Sequence, residues 1–157
     1  MTNARDLPGD GLDDHGPDDD LADVAPLLRA PVRRPADVLL ALVPVVGPEA
    51  GGPLTVWCLV LDADDVPLPF VVVIDDPPVA ADTAFAADLA TTLARVLDER
   101  ALGGSVVVAL VGRLGQRPDA CAQAWTDVLG AAARATGVPL RAVAAIGPRG
   151  SRVLRWW

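Results

Sequence analysis

The sequence predicts an α/β fold (α+β in its segregated form). It is read as a single domain of two or three layers on a mixed sheet, with elements in the order α-β-β-α-β-α-β-β. Three observations lead there. Short β-branched runs recur between clusters of Gly, Pro and Asp. Two longer segments carry apolar residues at helical spacing, with Ala between them. Those two segments alternate with apolar runs, as in parallel crossovers.

Residues 25–34 form a lead-in. Pro35 suits the first turn of a helix, where its missing N–H costs nothing. Asp37 favours the positive end of the helix dipole. Val38, Leu39 and Leu42 share one stripe, and Pro44 and Gly47-Pro48 are expected to end this short helix. Residues 54–61 (LTVWCLVL) and 68–74 (LPFVVVI) read as strands. The short polar turn between them predicts an antiparallel hairpin. Pro67 and Pro69 fall at the start of the second strand, where a missing donor is tolerated.

Asp82 is a good N-cap for a helix running to about Arg100, with Phe85, Leu89, Leu93, Val96 and Leu97 on its apolar face and Gly103 as its stop. Residues 105–111 (SVVVALV) are continuously apolar, as in a central strand buried on both faces. After the loop Gly112-Arg113-Leu114-Gly115-Gln116-Arg117, Pro118 and Asp119 open another helix. It runs to about Thr136 with Cys121, Trp125, Val128, Leu129 and Ala132 on one face and Gly137 as C-cap. Residues 139–146 form a strand, 147–150 a turn, and 152–157 a last strand.

The 157 residues amount to about one domain. With 52% of them apolar, the chain is not wholly disordered. Its net charge of −8 is unevenly placed. Residues 1–24 hold eight Asp against Arg5, a net −7; residues 25–157 hold 13 acids against 12 Arg, a net −1. Residues 1–24, rich in Gly and Pro and poor in large apolar side chains, read as a disordered acidic tail, and residues 25–157 as the folded domain. The tail either solubilises the chain or docks on a basic partner. Overall acidity disfavours nucleic acid as partner, though the near-neutral domain weakens that exclusion. No apolar run reaches the ~18 residues of a membrane span, so no membrane partner is expected. The start is not a signal peptide, lacking a basic opening and an apolar core. Cys58 and Cys121 are far apart among apolar residues. Reduced thiols in a cytoplasmic protein are the simplest account, and a single disulfide stays open.

Gly137-Val138-Pro139-Leu140 and Ala144-Ala145-Ile146-Gly147, in this element order, carry a resemblance. Over roughly residues 36–157 the chain resembles the JAB/MPN fold, specifically its bacterial RadC-like branch and small actinobacterial proteins related to it. In that branch the third strand runs into a His-x-His-Pro loop. A Ser-x-x-Asp opens the next helix, which ends at Gly-Ile-Pro-Leu. The resemblance implies a zinc held by two His and one Asp, a metal-bound water as nucleophile, and an upstream Glu as general base. Here the His positions fall near Val111 and Arg113, the Ser near Asp119 and the Asp near Ala122. Glu49 falls near the general-base region. The one His of the chain is His15, in the tail. A catalytic zinc needs three protein ligands. The resemblance thus implies a degenerate member with no metal, no cofactor and no catalytic residues. A rival is an actinobacterial α/β domain outside the JAB fold.

Gly112, Arg113, Gly115, Arg117 and Asp119 form a candidate anion-binding loop between a strand and a helix. The chain has no Lys and neither a P-loop nor a Rossmann pattern, so a plain Gly-rich turn competes with that reading. Asp62, Asp64 and Asp65 suit a turn better than a Ca²⁺ loop. Ser151 and Cys121 have no His in the domain to activate them. Trp156 and Trp157 either clamp the last strand to the sheet or form an exposed interface. The leading expectation is a non-catalytic domain that binds a protein partner or a small anion. The alternatives are an enzyme of unknown chemistry using Arg113, Arg117 and Asp119, and an oligomerisation module using the edge of the first strand with Trp156 and Trp157.

Overall fold

The computed structural model describes residues 29–113 and 118–157; the acidic tail, 1–24, lies outside the described residues. The elements are helix α1 (Pro35–Val46), a 3₁₀ turn (Gly47–Gly51), strands β1 (Thr55–Leu61) and β2 (Pro67–Ile74), helix α2 (Thr83–Arg100), β3 (Ser105–Val111), α3 (Pro118–Thr136), β4 (Leu140–Gly147) and β5 (Gly150–Trp156). The five strands form one mixed sheet in the order β2-β1-β3-β4-β5. β1 is antiparallel to both β2 and β3, β3 and β4 run parallel, and β4 and β5 are antiparallel. β1 therefore lies inside the sheet, and the edges are β2 and β5. An assembly surface built on the edge of the first strand is ruled out by that pairing.

Side-chain alternation along the strands divides the core between two faces. Val56, Cys58 and Val60 of β1 join Val106, Val108 and Leu110 of β3 beneath α2 and α3, with Leu89, Leu93, Trp125 and Leu129 above them. On the opposite face Leu59, Leu61, Val107, Ala109 and Val111 meet Val38, Ala41, Leu42 and Val46 of α1. The result is three layers: two helices, the sheet, and one helix. All seven residues of β3 are buried, as its unbroken apolar run predicts.

The helix ends follow their chemistry. Asp82 caps α2 by accepting a 2.7 Å bond from Phe85 N. The Asp37 carboxylate reaches back to the backbone N–H of Arg34 at 2.9 Å and of Arg33 at 3.1 Å, and pairs with the Arg34 guanidinium. The first helix ends at Val46 with Gly47 as its C-cap, as Gly47-Pro48 predicts. α1 does not stop at Pro44 but continues to Val46. A proline in the last turn removes a single bond, to the carbonyl of Leu40, and Leu40 is exposed where water satisfies it. Val46 is buried under the sheet, which rewards the extra turn.

Burial sets the expected response to mutation. Leu110→Ala, in the core beneath α2 and α3, should lower stability by about 2–5 kcal/mol in chemical denaturation. Leu102→Ala, 83% exposed, should stay within about 0.5 kcal/mol. Equal effects would contradict the layer assignment.

The hydrogen bond from Arg34, chiefly, holds the Asp37 carboxyl below its ordinary range. The ionised group stabilises the helix start above about pH 4, and that stability is lost as acid carries the pH down through the lowered value. Asp37→Asn should lower the thermal midpoint at neutral pH, and its deficit should shrink as the pH is lowered. A deficit that is constant with pH contradicts this.

Candidate functional site

The carboxyl ends of β3 and β4 share one rim with the starts of α2 and α3, because β2, β3 and β4 point the same way and each of these helices returns antiparallel to them. The two helices meet near their starts. Phe85 of α2 sets its ring edge-on to Trp125 of α3, with centroids 5.5 Å apart. Cys121 Sγ lies 4.0 Å from Val79 O in the segment before α2.

Backbone fills the rim where β3 ends. Gly112 has φ +111, and a Cβ there would sit 2.2 Å from Pro53 O. Only glycine meets both demands. Gly112 N donates to Ile146 O at 2.9 Å and Arg113 N donates to Gly52 O at 3.1 Å. These two N–H groups of the candidate anion loop are therefore committed to the chain's own backbone. The Arg113 side chain is exposed. Gly115 and Arg117 lie outside the described residues, and Asp119 is described only as part of the first turn of α3. The structure does not bring this set together among the described residues.

Two of the positions to which the JAB resemblance points are apolar and divided, and a third, Arg113, is exposed. Val111 is buried on the α1 face, whereas Ala122 is buried on the α2–α3 face. Glu49 is exposed on the 3₁₀ turn, where its carbonyl accepts from Gly52 N. No group of three His, Cys, Asp or Glu side chains that could hold a metal occurs among the described residues. The aspartates of the first hairpin serve the turn. Asp62 Oδ1 accepts from Asp64 N and Val66 N, both at 2.9 Å. Asp65, at φ +66, accepts from Val32 N through its carbonyl and pairs through its carboxylate with Arg141.

At the other side of the sheet, β5 pairs only with β4 among the described residues, which leaves its outer edge open there. Its last side chains go to opposite faces. Trp156 is half-buried against the α1-side core, with the Arg141 guanidinium 5.8 Å from its ring centroid. Trp157, 40% exposed, lies across Gly130 of α3 and beneath the Arg155 guanidinium at 5.5 Å. Trp157 N donates to Arg141 O, extending the β4–β5 ladder. Trp156 thus clamps, while Trp157 clamps and still shows a face to solvent.

Around Trp157 positive charge predominates. Arg134 Nη1 approaches the same Gly130, 3.6 Å from where its Cβ would be. Arg149 occupies the two-residue turn into β5, and Arg152 and Arg155 lie on the strand, all exposed. Arg155 has Asp127 as a neighbour at 3.6 Å. After Asp127 the chain has five Arg and no acid. That stretch is the signal that residue-by-residue motif reading misses, because charge is spread thinly along the sequence and gathered only by the β4–β5 hairpin.

Comparison of the chain with protein-family models, with curated proteins and with solved structures finds no match.

The thiols differ in environment. Both are free; Cys58 is buried, and desolvation pushes its pKa up to about 12, whereas Cys121 is half-buried at the rim. An aromatic disulfide reagent at pH 8 should label Cys121 in the native protein and Cys58 only on unfolding. Two equally fast thiols would contradict the burial of Cys58.

Proposed function

We propose that the chain is a non-catalytic domain of JAB/RadC-like type that works by binding, and that its partner is an acidic, extended protein segment laid along the β5 edge. The carrying observation is the excess of positive charge at this edge: Arg149, Arg152 and Arg155 on the β5 hairpin and Arg134 beside Trp157, with Asp127 as a neighbouring acid and no Asp or Glu after it. An extended peptide adds to an open strand edge through main-chain hydrogen bonds, and side-chain charge selects which peptide does so. Trp157 adds an aromatic surface at the end of that edge. The Arg155–Asp127 pair does not block it. Both partners are about half exposed, such pairs are worth little, and an incoming carboxylate can compete for the guanidinium.

Two further points support the reading. Gly137-Val138-Pro139-Leu140 spans the turn from α3 into β4, and Ala144-Ala145-Ile146-Gly147 closes that strand, as in the resembling family. The positions that would hold zinc carry Val111, Arg113 and Ala122; Val111 and Ala122 are buried on opposite faces and Arg113 is exposed, so that no small set of substitutions restores a convergent ligand set. A small-anion site at Arg113 is less well supported, since two of its backbone donors are already used.

The test is the binding of a labelled ten-residue peptide of alternating Asp and Val to the full chain, by fluorescence anisotropy, together with the zinc content of the purified protein. Affinity should fall with salt, and Arg149→Glu with Arg155→Glu should weaken it at least about tenfold. Equal affinity of wild type and variant overturns the surface. Stoichiometric zinc overturns the non-catalytic reading.

A further inference from the structure

We propose that two copies of this chain pair through the outer face of α1, with the two helices running antiparallel across a two-fold axis. The pairing uses no residue of the β5 edge, so it is independent of the peptide-binding face. Three observations lead to it.

The first is the composition of the helix. Of the twelve residues of α1, Asp37 alone carries a polar side chain. The inner face, Val38, Ala41, Leu42 and Val46, is buried against the sheet. The opposite face is apolar as well. Ala36, Leu40, Val43 and Gly47 are exposed there, Leu40 by 61% and Val43 by 42%. A helix that is apolar all round belongs in a site covered on both sides. Among the described residues, α1 is the only α-helix packed on its face of the sheet.

The second is spacing. Ala36, Leu40, Val43 and Gly47 are separated by four, three and four residues, the seam along which two helices pack together. Val46 keeps helical angles, φ −67 and ψ −40, so the backbone carries Gly47 into line with the other three. A Cβ at Gly47 would meet nothing within 4 Å, so this end of the seam is open. Pro44 falls on the flank of the seam. The Leu40 carbonyl that it leaves without a helical donor therefore lies at the margin of the contact, within reach of water.

The third is that the seam is complementary to its own reverse, as a two-fold interface requires. With the axis level with the midpoint between Ala41 and Leu42, Leu40 of each copy faces Val43 of the other, and Ala36 faces Gly47. Large residues meet at the centre, and small ones meet at the ends, where the backbones can approach. The same register brings the Arg34 end of one helix to the Glu49 end of the other, and both side chains are exposed. Opposite charges at the two rims fix the antiparallel sense, since a parallel pair would set Arg34 beside Arg34 and Glu49 beside Glu49. Area sets the strength. α1 is about 18 Å long, and one helix pair of that length stays below the ~1,200 Å² of total buried surface that stable complexes reach. The dimer is therefore reversible, with a dissociation constant on the order of tens of micromolar.

Sedimentation velocity of the full chain, from about 5 to about 500 µM, tests the pairing. The weight-average mass should rise from that of one chain towards that of two. Leu40→Glu should keep the far-UV circular dichroism, because Leu40 is exposed in the single chain, and should weaken association at least about tenfold. Val43→Glu is the second variant, with the same expectation, should the first disturb the fold. Leu40→Glu combined with Val43→Arg sets opposite charges face to face in the antiparallel register and should associate more tightly than Leu40→Glu alone. A single-chain mass at every concentration overturns the pairing, whatever else covers α1. A dimer that the folded glutamate variants leave intact also overturns it and places the contact elsewhere. A double variant that associates no better than Leu40→Glu overturns the antiparallel register.

Discussion

β3 has no side chain in water. Its seven residues alternate between the core beneath α2 and α3 and the core beneath α1, and this two-sided burial is what the remaining structure must supply. A strand of this composition left open on either face would expose a row of Val and Leu, at about 25 cal/mol for each Å² returned to water. Hence a helix is needed on each face, which gives three layers. β1 and β4 lie on either side of β3 and are nearly as buried, so the polar decoration of the domain is pushed to the outer strands, the turns and the helix surfaces. The proposed binding surface lies at the margin because the centre of the sheet has no room for polar groups.

Much of this is legible in the sequence. The run Ser105 to Val111 announces a central strand because no polar residue interrupts it after the first position. Asp82 and Gly137 mark a helix start and a helix end through chemistry that acts within one turn. Gly47 ends the first helix as expected, while Pro44 alone does not, because its penalty is local and what offsets it, the burial of Val46 against the sheet, is tertiary. The place of β1 inside the sheet also escapes a linear reading. Strand order depends on where β3 inserts, and β3 pairs with β1 across the 18-residue helix α2. The candidate site was legible only in part. Trp156 and Trp157 are conspicuous in sequence, but their division between opposite faces follows from the pleat, and the arginines around Trp157 come from α3 and β5 together.

The two sheet edges explain why one side is suited to binding and the other is not. β2 starts with Pro67 and has Pro69 within it, so its outer row of donors is broken, and aspartates stand beyond both ends. β5 has no proline and carries arginines along its length. Its edge is kept from indiscriminate pairing by charge of one sign, which repels another copy of itself and attracts an acidic strand. In the proposed reading, the arginines that protect the edge also select an acidic partner. The end of β3, by contrast, is closed by backbone around Gly112, whose N–H and that of Arg113 are already used.

The most direct measurement is amide hydrogen exchange, read residue by residue, with and without a saturating acidic peptide. The account predicts slowed exchange along β5, in the N–H groups that face away from β4, with residues 105–113 unchanged. Protection centred on the loop after β3, with β5 unaffected, would contradict it.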